Sequence, residues 1–396
     1  MNKLYNTQRD ISTNLSDFIK NSVSNITKTQ LNILPSIIFG MIKSESCVTI
    51  DIAKNLKDNF CDVLLPSTQR RIRRFFNNKF FDGHDFYCKI IAYVIENYKC
   101  KHPDNRVHIA MDHMFVRDMF TIFMLSLRIG KQSIPLWFEC FNGKNDPNAF
   151  KTDTLIKGID FVNSLFKNKN YHLIFLGDRF FNSTKLMQHI ESIGHYYVFR
   201  LKDNYKCLVY DNHEKYYIWK HIKDLNHYQF KTATYNNIYF TRNEIKTNIV
   251  ISPKNPKSLI NSGIHNDIIP WFLITNSNTK FAIKDYSYRF GAIEFLFKSQ
   301  KSNGFFLEKT TTSNLHAFTN MFACVCFSIL WLTILGVNYS KNPKQYKNIK
   351  IDCVRKYVNG PRRIMSLFKT GLTLFNIAFN SIHNIKLPYN FKLYDY

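Results

Sequence analysis

The chain of 396 residues is long enough for about two or three domains with their own cores. With 54 Lys and Arg against 29 Asp and Glu, its formal net charge is +25, and this charge is spread along the chain without a basic tail. An excess of this size indicates a polyanionic partner, most commonly nucleic acid, with ribosomal RNA or a membrane surface as alternatives. At 45% hydrophobic and 16% aromatic residues, the composition excludes a disordered chain.

The nine cysteines indicate a reducing compartment rather than a cross-linked protein. None forms a CxxC pair and the number is odd, so a zinc ribbon and a disulfide framework both fit poorly. We expect most of them to be reduced, small apolar core residues of a cytoplasmic protein. The polar N-terminus also lacks the apolar run of a secretory signal. The cysteines are Cys47, Cys61, Cys88, Cys100, Cys140, Cys207, Cys324, Cys326 and Cys353.

Residues 1–105 are predicted to form a helical N-terminal DNA-binding region, because apolar positions recur near a 3.6-residue period in segments such as 29–42 and 85–98. A helix beginning near Pro66 has one apolar face and one strongly cationic face. Together with the short helix predicted before it, this helix resembles a helix-turn-helix element whose cationic face contacts DNA. The alternative is a solvated basic helix that caps a bundle. The cationic face carries Arg70, Arg71, Arg73 and Arg74.

The pattern changes after Pro103, where apolar, β-rich runs begin to alternate with amphipathic helical segments. Three strands, then helix, strand, helix and strand, is the element order of an RNase H-like domain. We therefore predict an α/β fold (α+β overall) whose RNase H-like catalytic core comprises residues 106–204 and 277–340. The predicted strands are 106–116, 120–130, 132–141, 171–178 and 195–202, and the predicted helices are 153–166 and 182–194.

Residues 205–276 interrupt this order. They are rich in Tyr, Asn, Ile and Thr in short runs, which is typical of an inserted β-rich subdomain, and they end in the strand 270–276. Helical pattern resumes at Phe281, and residues 341–396 are predicted to be a C-terminal helical region with a turn and one more helix.

One apolar segment, 315–337, is long enough to span a membrane. However, His316 and Asn320 lie in its first turns, and no second span exists to pair with it. We therefore interpret it as a buried helix in a large core and expect no membrane partner.

Three acidic residues are candidates for a metal site. Asp112 lies inside an apolar strand, where an acid is costly unless it is paired or binds a cation. Asp178 ends the fourth strand, and open α/β sheets place ligands at the carboxyl ends of their strands. Because the first and fourth strands of an RNase H-like sheet are adjacent, the two aspartates would need Mg²⁺ or Mn²⁺ to offset their repulsion. Glu294, on a later helix, would complete a two-metal phosphoryl-transfer site.

Each acid also has a simpler interpretation. A lone Asp at a strand end is more often a cap or a turn residue, and the same region holds other carboxylates that could take its place. These rivals are Asp118, Asp146, Asp153 and Asp160.

The stretch YSYRFGAIEFLFKSQKSNGF, residues 286–305, carries the most specific pattern. It resembles the signature of the DDE transposases of the insertion-sequence-four family: tyrosine, two residues, arginine, three residues, glutamate, six residues, lysine. Tyr286 and Arg289 keep the first interval, and Glu294 and Lys301 keep the last.

The middle interval departs from that signature, because four residues rather than three separate Arg289 from Glu294. On a regular helix Arg289 would then point about 140° away from Glu294. Either a bulge at Gly291 or a helix that starts after Arg289 would correct this, and Tyr288 is a rival for the role of Tyr286.

The resemblance covers roughly residues 30 to 340 and implies further site residues. The pair Asp178–Arg179 matches another motif of the family, and Trp271 matches the tryptophan that stacks on a flipped-out base. For Trp271 the alternative is a core residue beneath the insertion. The resemblance places Tyr286, Arg289, Lys298 and Lys301 against DNA, with Lys301 on a phosphate.

The resemblance also implies a function. A bacterial, nucleoid-associated cut-and-paste transposase would use two Mg²⁺ or Mn²⁺ ions to cleave the ends of an insertion sequence, form a hairpin intermediate and join the ends to target DNA. Its partners would be double-stranded DNA, both terminal inverted repeats and target, and a second copy of itself on the other DNA end. The alternatives are another RNase H-like nuclease, such as a junction resolvase, and a non-catalytic DNA-binding protein or repressor derived from a transposase.

Overall fold

The computed structural model describes residues 2–56, 64–211, 215–228, 230–240, 245–253, 270–302, 304–346, 349–357, 360–380 and 393. As predicted, the N-terminal part of the chain is helical. Thr27 and Gln30 form a reciprocal capping box before α2, and the Asp82 carboxylate caps α5, so local sequence signals set where these helices begin. The helices are α1 (Asn2–Ser22), α2 (Lys28–Ser44), α3 (Thr49–Asn55), α4 (Leu65–Phe76) and α5 (Gly83–Glu96).

Helix α4 has the two faces that its sequence predicts. Pro66 lies in its first turn, Ile72, Phe75 and Phe76 are buried, and the four arginines are exposed. The helix packs against α3, as expected for a two-helix unit. Most of the connection between the two helices lies outside the described residues.

Three strands, a helix, a strand, a helix and a strand follow in the predicted order, with one additional 3-10 turn before α6. Strands β1, β2 and β3 are antiparallel neighbours, whereas β4 lies beside β1 and β5 beside β4, all three parallel. The carboxyl ends of β1, β4 and β5 therefore lie at one end of the sheet. These elements are β1 (Arg106–Val116), β2 (Phe120–Ile129), β3 (Gln132–Asn142), α6 (Thr152–Phe166), β4 (His172–Gly177), α7 (Thr184–Ser192) and β5 (Tyr196–Arg200).

The region after residue 205 is rich in strands, as predicted. These strands continue the same sheet, because β10 pairs with both β5 and β9. The full order is β3-β2-β1-β4-β5-β10-β9-β8-β6-β7. The segment 253–270, whose sequence is typical of a loop within the β-rich region, lies almost entirely outside the described residues. The strands are β6 (Lys206–Asp211), β7 (Tyr216–His221), β8 (Ala233–Phe240), β9 (Ile245–Ile251) and β10 (Phe272–Thr275).

The last third of the chain departs from a continuous helical pattern at two places. Residues 286–305 are divided between two helices, because α8 ends at Ser287 and α9 begins at Ala292. The C-terminal region contains a hairpin as well as a helix, since β11 and β12 pair antiparallel. The elements are α8 (Ala282–Ser287), α9 (Ala292–Lys301), α10 (Leu315–Lys341), β11 (Val354–Tyr357), β12 (Gly360–Arg363) and α11 (Leu367–Asn380).

Helix α10 is the centre of the core. Among the described helices it alone is long and apolar enough to cross a membrane by itself, while α2 and α3 meet the same test only as a pair bent by 97°. Its entire apolar window is buried within the protein, as expected for a core helix. Asn320 accepts a hydrogen bond from the Gly83 N–H and donates one to the Phe76 carbonyl, so this polar residue joins the end of α4 to the start of α5.

The cysteines that the structure describes are all free thiols, as the sequence predicts. Cys88 and Cys100 are partly exposed, and the remaining described cysteines are buried.

Candidate functional site

Asp112, inside β1, and Asp178, directly after the end of β4, lie side by side on neighbouring parallel strands. Ala110 of β1 pairs with Leu176 of β4, and each aspartate is two residues beyond that pair. The predicted adjacency of the two strands is therefore confirmed.

One guanidinium bridges the two aspartates. The Arg289 Nη2 lies 2.7 Å from the Asp112 Oδ2 and 3.7 Å from the Asp178 Oδ2. Arg289 is only 5% exposed, and its Nε has no hydrogen-bond partner. A single buried cation thus offsets two carboxylates, at the point where the sequence predicts metal ions.

Two backbone N–H groups orient these carboxylates. The His113 N–H donates to the Asp112 Oδ1 at 2.9 Å, and the Phe180 N–H donates to the Asp178 Oδ1 at 2.9 Å. Each aspartate therefore keeps its Oδ2 turned towards Arg289.

The balance of charge at Asp112 is unfavourable to its ionised form. Burial raises the pKa of Asp112 to about 6, and the negative charges of Asp178 and Glu294 add to the rise, while Arg289 opposes it. Near neutral pH an additional cation beside Asp112 would therefore stabilise its ionised carboxylate. Because Glu294 acts on Asp112, the three predicted acids share one electrostatic neighbourhood. Glu294 itself is exposed, in the first turn of α9.

The extra residue before Glu294 is accommodated by a break between two helices. Arg289 lies in the turn between α8 and α9, and Gly291 precedes α9 with φ +75°, which L-residues other than glycine rarely adopt. Of the two predicted corrections, the structure shows the second: the helix starts after Arg289, and Gly291 precedes it rather than forming a bulge within it.

Buried charges hold α8 against β1. The Asp285 carboxylate accepts a hydrogen bond from Arg106 and contacts the His108 Nε2 at 2.9 Å, and all three side chains are buried. Burial lowers the pKa of His108, although Asp285 opposes this. Since Tyr286 follows Asp285 directly, this contact sets the position of the tyrosine.

Tyr286, rather than Tyr288, belongs to the aspartate cluster. Burial raises the pKa of Tyr286 to about 12; Arg289 and Arg200 lower it, while Asp178 and Asp112 raise it further. Tyr288 instead packs edge-on against His108 and lies 3.6 Å beneath the Arg128 guanidinium.

Trp271 and Phe290 form an aromatic stack beside Tyr286. The Trp271 and Phe290 rings are 5.2 Å apart and inclined by 19°, and Trp271 meets Tyr286 edge-on at 5.3 Å. Trp271 is partly exposed, and Phe290 is exposed. Trp271 is therefore neither a fully buried core residue nor a free surface ring.

Arg200 is a site residue that the sequence did not single out. It ends β5, next to β4, and Asp178, Tyr286 and Arg289 all act on it electrostatically. Burial, and then the neighbouring charge of Arg179, lower the pKa of Arg200. The rule that located Asp178, a polar residue at a strand end, applies equally to Arg200. Phe290 is a second site residue that the sequence did not single out, because its stacking partner, Trp271, lies in a different segment of the chain.

The remaining predicted cations are less closely gathered. Arg179 and Lys298 are exposed. Lys301 is ion-paired to Glu308, with 2.8 Å between the Lys301 Nζ and the Glu308 Oε1. The α4 arginines form a separate cationic surface on the helical region, and they are not among the groups that act on Asp112.

No family model matches this chain, and no curated protein is significantly similar to it. The chemistry of the site therefore rests on its own residues. Carboxylate oxygens are the ligands that Mg²⁺ and Mn²⁺ prefer, so Asp112 and Asp178 fit a hard divalent cation by donor type. With Arg289 between the aspartates, the described part of the chain holds no ready cluster of three or more acidic, His or Cys side chains for a metal ion.

Proposed function

We propose that the protein is a DDE-type DNA transposase of the insertion-sequence-four family, in which Asp112, Asp178 and Glu294 hold two Mg²⁺ or Mn²⁺ ions. The observation that carries this proposal is the bridging of Asp112 and Asp178 by Arg289 at 2.7 and 3.7 Å. These three residues lie 66 and 111 positions apart in the sequence. Each of them was identified as a candidate site residue from the sequence around it.

The sheet supports an RNase H-like core. Its order β3-β2-β1-β4-β5, with β1, β4 and β5 parallel, is the arrangement expected for that fold, and the aspartates occupy two adjacent parallel strands of it. The proposal further includes a homodimer on two DNA ends in the bacterial cytoplasm.

Bound at these carboxylates, the two metal ions would activate a water or a 3′-hydroxyl and stabilise the leaving oxygen of the phosphodiester. The protein's own groups bind and orient the DNA. Arg200 and Arg179 flank Asp178 and supply charge for the phosphates on either side of the reacting bond. Lys301 joins them by exchanging Glu308 for a phosphate.

Arg289 has two roles in this proposal. In the protein without metal it is the counter-ion of both aspartates. With divalent cations held by the aspartates, its guanidinium would be available to a DNA phosphate, as the family signature implies.

The Trp271–Phe290 stack provides the surface for a flipped base. Aromatic stacking on an extruded base contributes about 1–3 kcal/mol. The stack adjoins Tyr286, which is coupled to both aspartates, so a base bound there would lie close to the cleaved bond.

The test is cleavage of an end-labelled terminal repeat, taken from the inverted repeats that flank the coding DNA. Asp112→Asn, Asp178→Asn and Glu294→Gln should each abolish Mg²⁺-dependent nicking while DNA binding persists. Asp118→Asn is the matched control, because Asp118 is an exposed acid of the same region that is paired with Lys144. Nicking that survives in both aspartate variants, or that disappears in the control, would overturn the proposal.

A second candidate is a DNA-binding protein without catalysis. The observations that favour it are the occupation of the space between the two aspartates by the Arg289 guanidinium and the pairing of Lys301 with Glu308. Specific binding to the terminal repeats without cleavage in either Mg²⁺ or Mn²⁺ would establish this candidate instead. Cleavage without strand transfer would indicate another RNase H-like nuclease.

A further inference from the structure

The outer end of the sheet has a solvent-exposed aromatic face. Tyr210 pairs with Tyr217, and Leu208 pairs with both Trp219 and Tyr239, so these residues lie on one side of β6, β7 and β8. Tyr217 meets Tyr210 and Tyr239 edge-on, each at 5.4 Å between ring centroids. Tyr210, Tyr217 and Trp219 remain 48%, 41% and 49% exposed. We call Tyr210, Tyr217, Trp219 and Tyr239 the aromatic face.

Cations border these rings. Lys246 pairs with Tyr239, and Lys206 is two residues before Leu208, so both exposed lysines lie on the same side as the rings. In the parts of β6 to β9 that the structure describes, no Asp or Glu shares this side: Asp211 pairs with Tyr216 on the opposite one. The aromatic face is therefore positively charged as well as exposed.

This face is remote from the aspartates. Strands β5, β10, β9 and β8 lie between β4 and β6, which corresponds to about 24 Å at a strand spacing of about 4.8 Å. It is also separate from the Trp271–Phe290 stack, because β9 and β8 lie between β6 and β10, the strand that Trp271 directly precedes.

We propose that the aromatic face binds single-stranded nucleic acid, with bases stacked on Tyr217 and Trp219 and phosphates held by Lys206 and Lys246. Flat rings interleaved with cations are the combination that holds an unpaired strand, because every base has a face that stacks and every nucleotide has a charge. A second copy of the chain is a poorer occupant, because its own lysines and its net charge of +25 would be repelled by the lysines and net charge of the first copy.

In the proposed transposase, the bound strand would be DNA left unpaired near a cleaved end. That identity rests on the proposed function, whereas the binding itself does not. The test therefore uses the full chain in EDTA, where metal-dependent cleavage cannot occur, and follows the fluorescence anisotropy of labelled oligothymidine, a matching oligouridine and a duplex of equal length.

The decisive variant combines Tyr217→Ala with Trp219→Ala. Removing each stacked ring should weaken oligothymidine binding by roughly five- to a hundredfold. The pair Tyr217→Phe with Trp219→Phe keeps both rings and should retain most of the affinity. Tyr216→Ala is the matched control, because Tyr216 is 54% exposed on the same strand but faces the other side. Circular dichroism of each variant verifies the fold.

Replacing Lys206 and Lys246 should change the salt dependence of binding. Lys206→Gln with Lys246→Gln should make the slope of log affinity against log salt shallower by about 0.7 for each phosphate that is no longer neutralised. Duplex affinity should be unchanged in the ring variants, because paired bases expose no faces for stacking.

Four outcomes would overturn the proposal. The first two are an oligothymidine affinity of the double alanine variant that equals that of the wild type, and an equal loss of oligothymidine affinity in the Tyr216 control. The others are an equal loss of duplex affinity in the double alanine variant, and a change in oligomeric state without nucleic acid as the only effect, which would make the face a contact between copies. Preference for oligothymidine over oligouridine assigns the strand as DNA, and the reverse preference assigns it as RNA, with stacking supported in either case. Failure of the cleavage assay alongside ring-dependent strand binding would reject the transposase and leave this inference intact.

Discussion

Replacing Asp112 with Asn should stabilise the protein in metal-free buffer, and by more at pH 8 than at pH 5. Burial raises the pKa of Asp112 from 3.8 to about 6, so the folded protein holds this proton more tightly than the unfolded chain does. The stability that comes from the protonated form is complete below pH 3.8 and is lost as the pH rises through about 6. Asn cannot ionise and does not suffer this loss.

The size of the effect follows from the two pKa values. Ionising Asp112 in the folded protein costs about 1–2 kcal/mol at pH 5 and about 3 kcal/mol at pH 8. The gap in unfolding free energy between the Asn variant and the wild type should therefore widen by about 1–2 kcal/mol between these two pH values. Added Mg²⁺ should narrow the gap at pH 8, because a cation bound at the carboxylate stabilises only the wild type.

Urea denaturation in EDTA at both pH values measures the gap directly. Asp118→Asn is the control: Lys144 holds the pKa of the exposed Asp118 below its usual range, so this variant should gain nothing as the pH rises. A gap that is constant or that shrinks between pH 5 and pH 8 would show that burial does not raise the pKa of Asp112 in the folded protein.

Three further outcomes are expected. Trp271→Ala should leave first-strand nicking intact while the hairpin, or whatever product follows the nick, falls sharply; an equal loss of both on a denaturing gel would count against base stacking. Gly291→Ala should lower the free energy of unfolding by about 1–2 kcal/mol, because φ +75° is costly for an L-residue; since a Cβ there meets nothing within 4 Å, an unchanged midpoint in urea would contradict the backbone explanation. Replacing all four α4 arginines by Ala should make the salt dependence of duplex binding shallower, by about 0.9 for each phosphate that is no longer neutralised, and an unchanged slope would remove α4 from the DNA interface.

The order of elements from β1 to β5 could be predicted because the relevant signals are local. Each strand is a compact apolar run, and α7 begins where the Ser183 hydroxyl accepts a hydrogen bond from the Leu186 N–H. The sequence also indicated that β1 and β4 are neighbours, which brings Asp112 and Asp178 together.

What could not be predicted depends on contacts between distant segments. The path of the chain around Arg289 had two solutions until the φ of Gly291 was known. Arg200 joins the site only because β4 and β5 pair in a particular register. The pairing of Lys301 with Glu308 requires the chain to turn back after α9. The β11–β12 hairpin was missed because its strands are only 4 residues each and carry no apolar alternation.

The position of β10 has a consequence for synthesis of the protein. Strand β5 ends at Arg200, but β10, which covers its free edge, begins only at Phe272. At about 5–20 residues per second, that edge stays open on the ribosome for roughly 4–14 s. Val198 and Phe199 lie on it and, until Leu273 and Ile274 arrive, present apolar side chains and unpaired backbone groups to any passing strand. The nascent chain, rather than the finished protein, is thus the form most prone to aggregate, and slower translation of residues 201–271 would prolong that exposure.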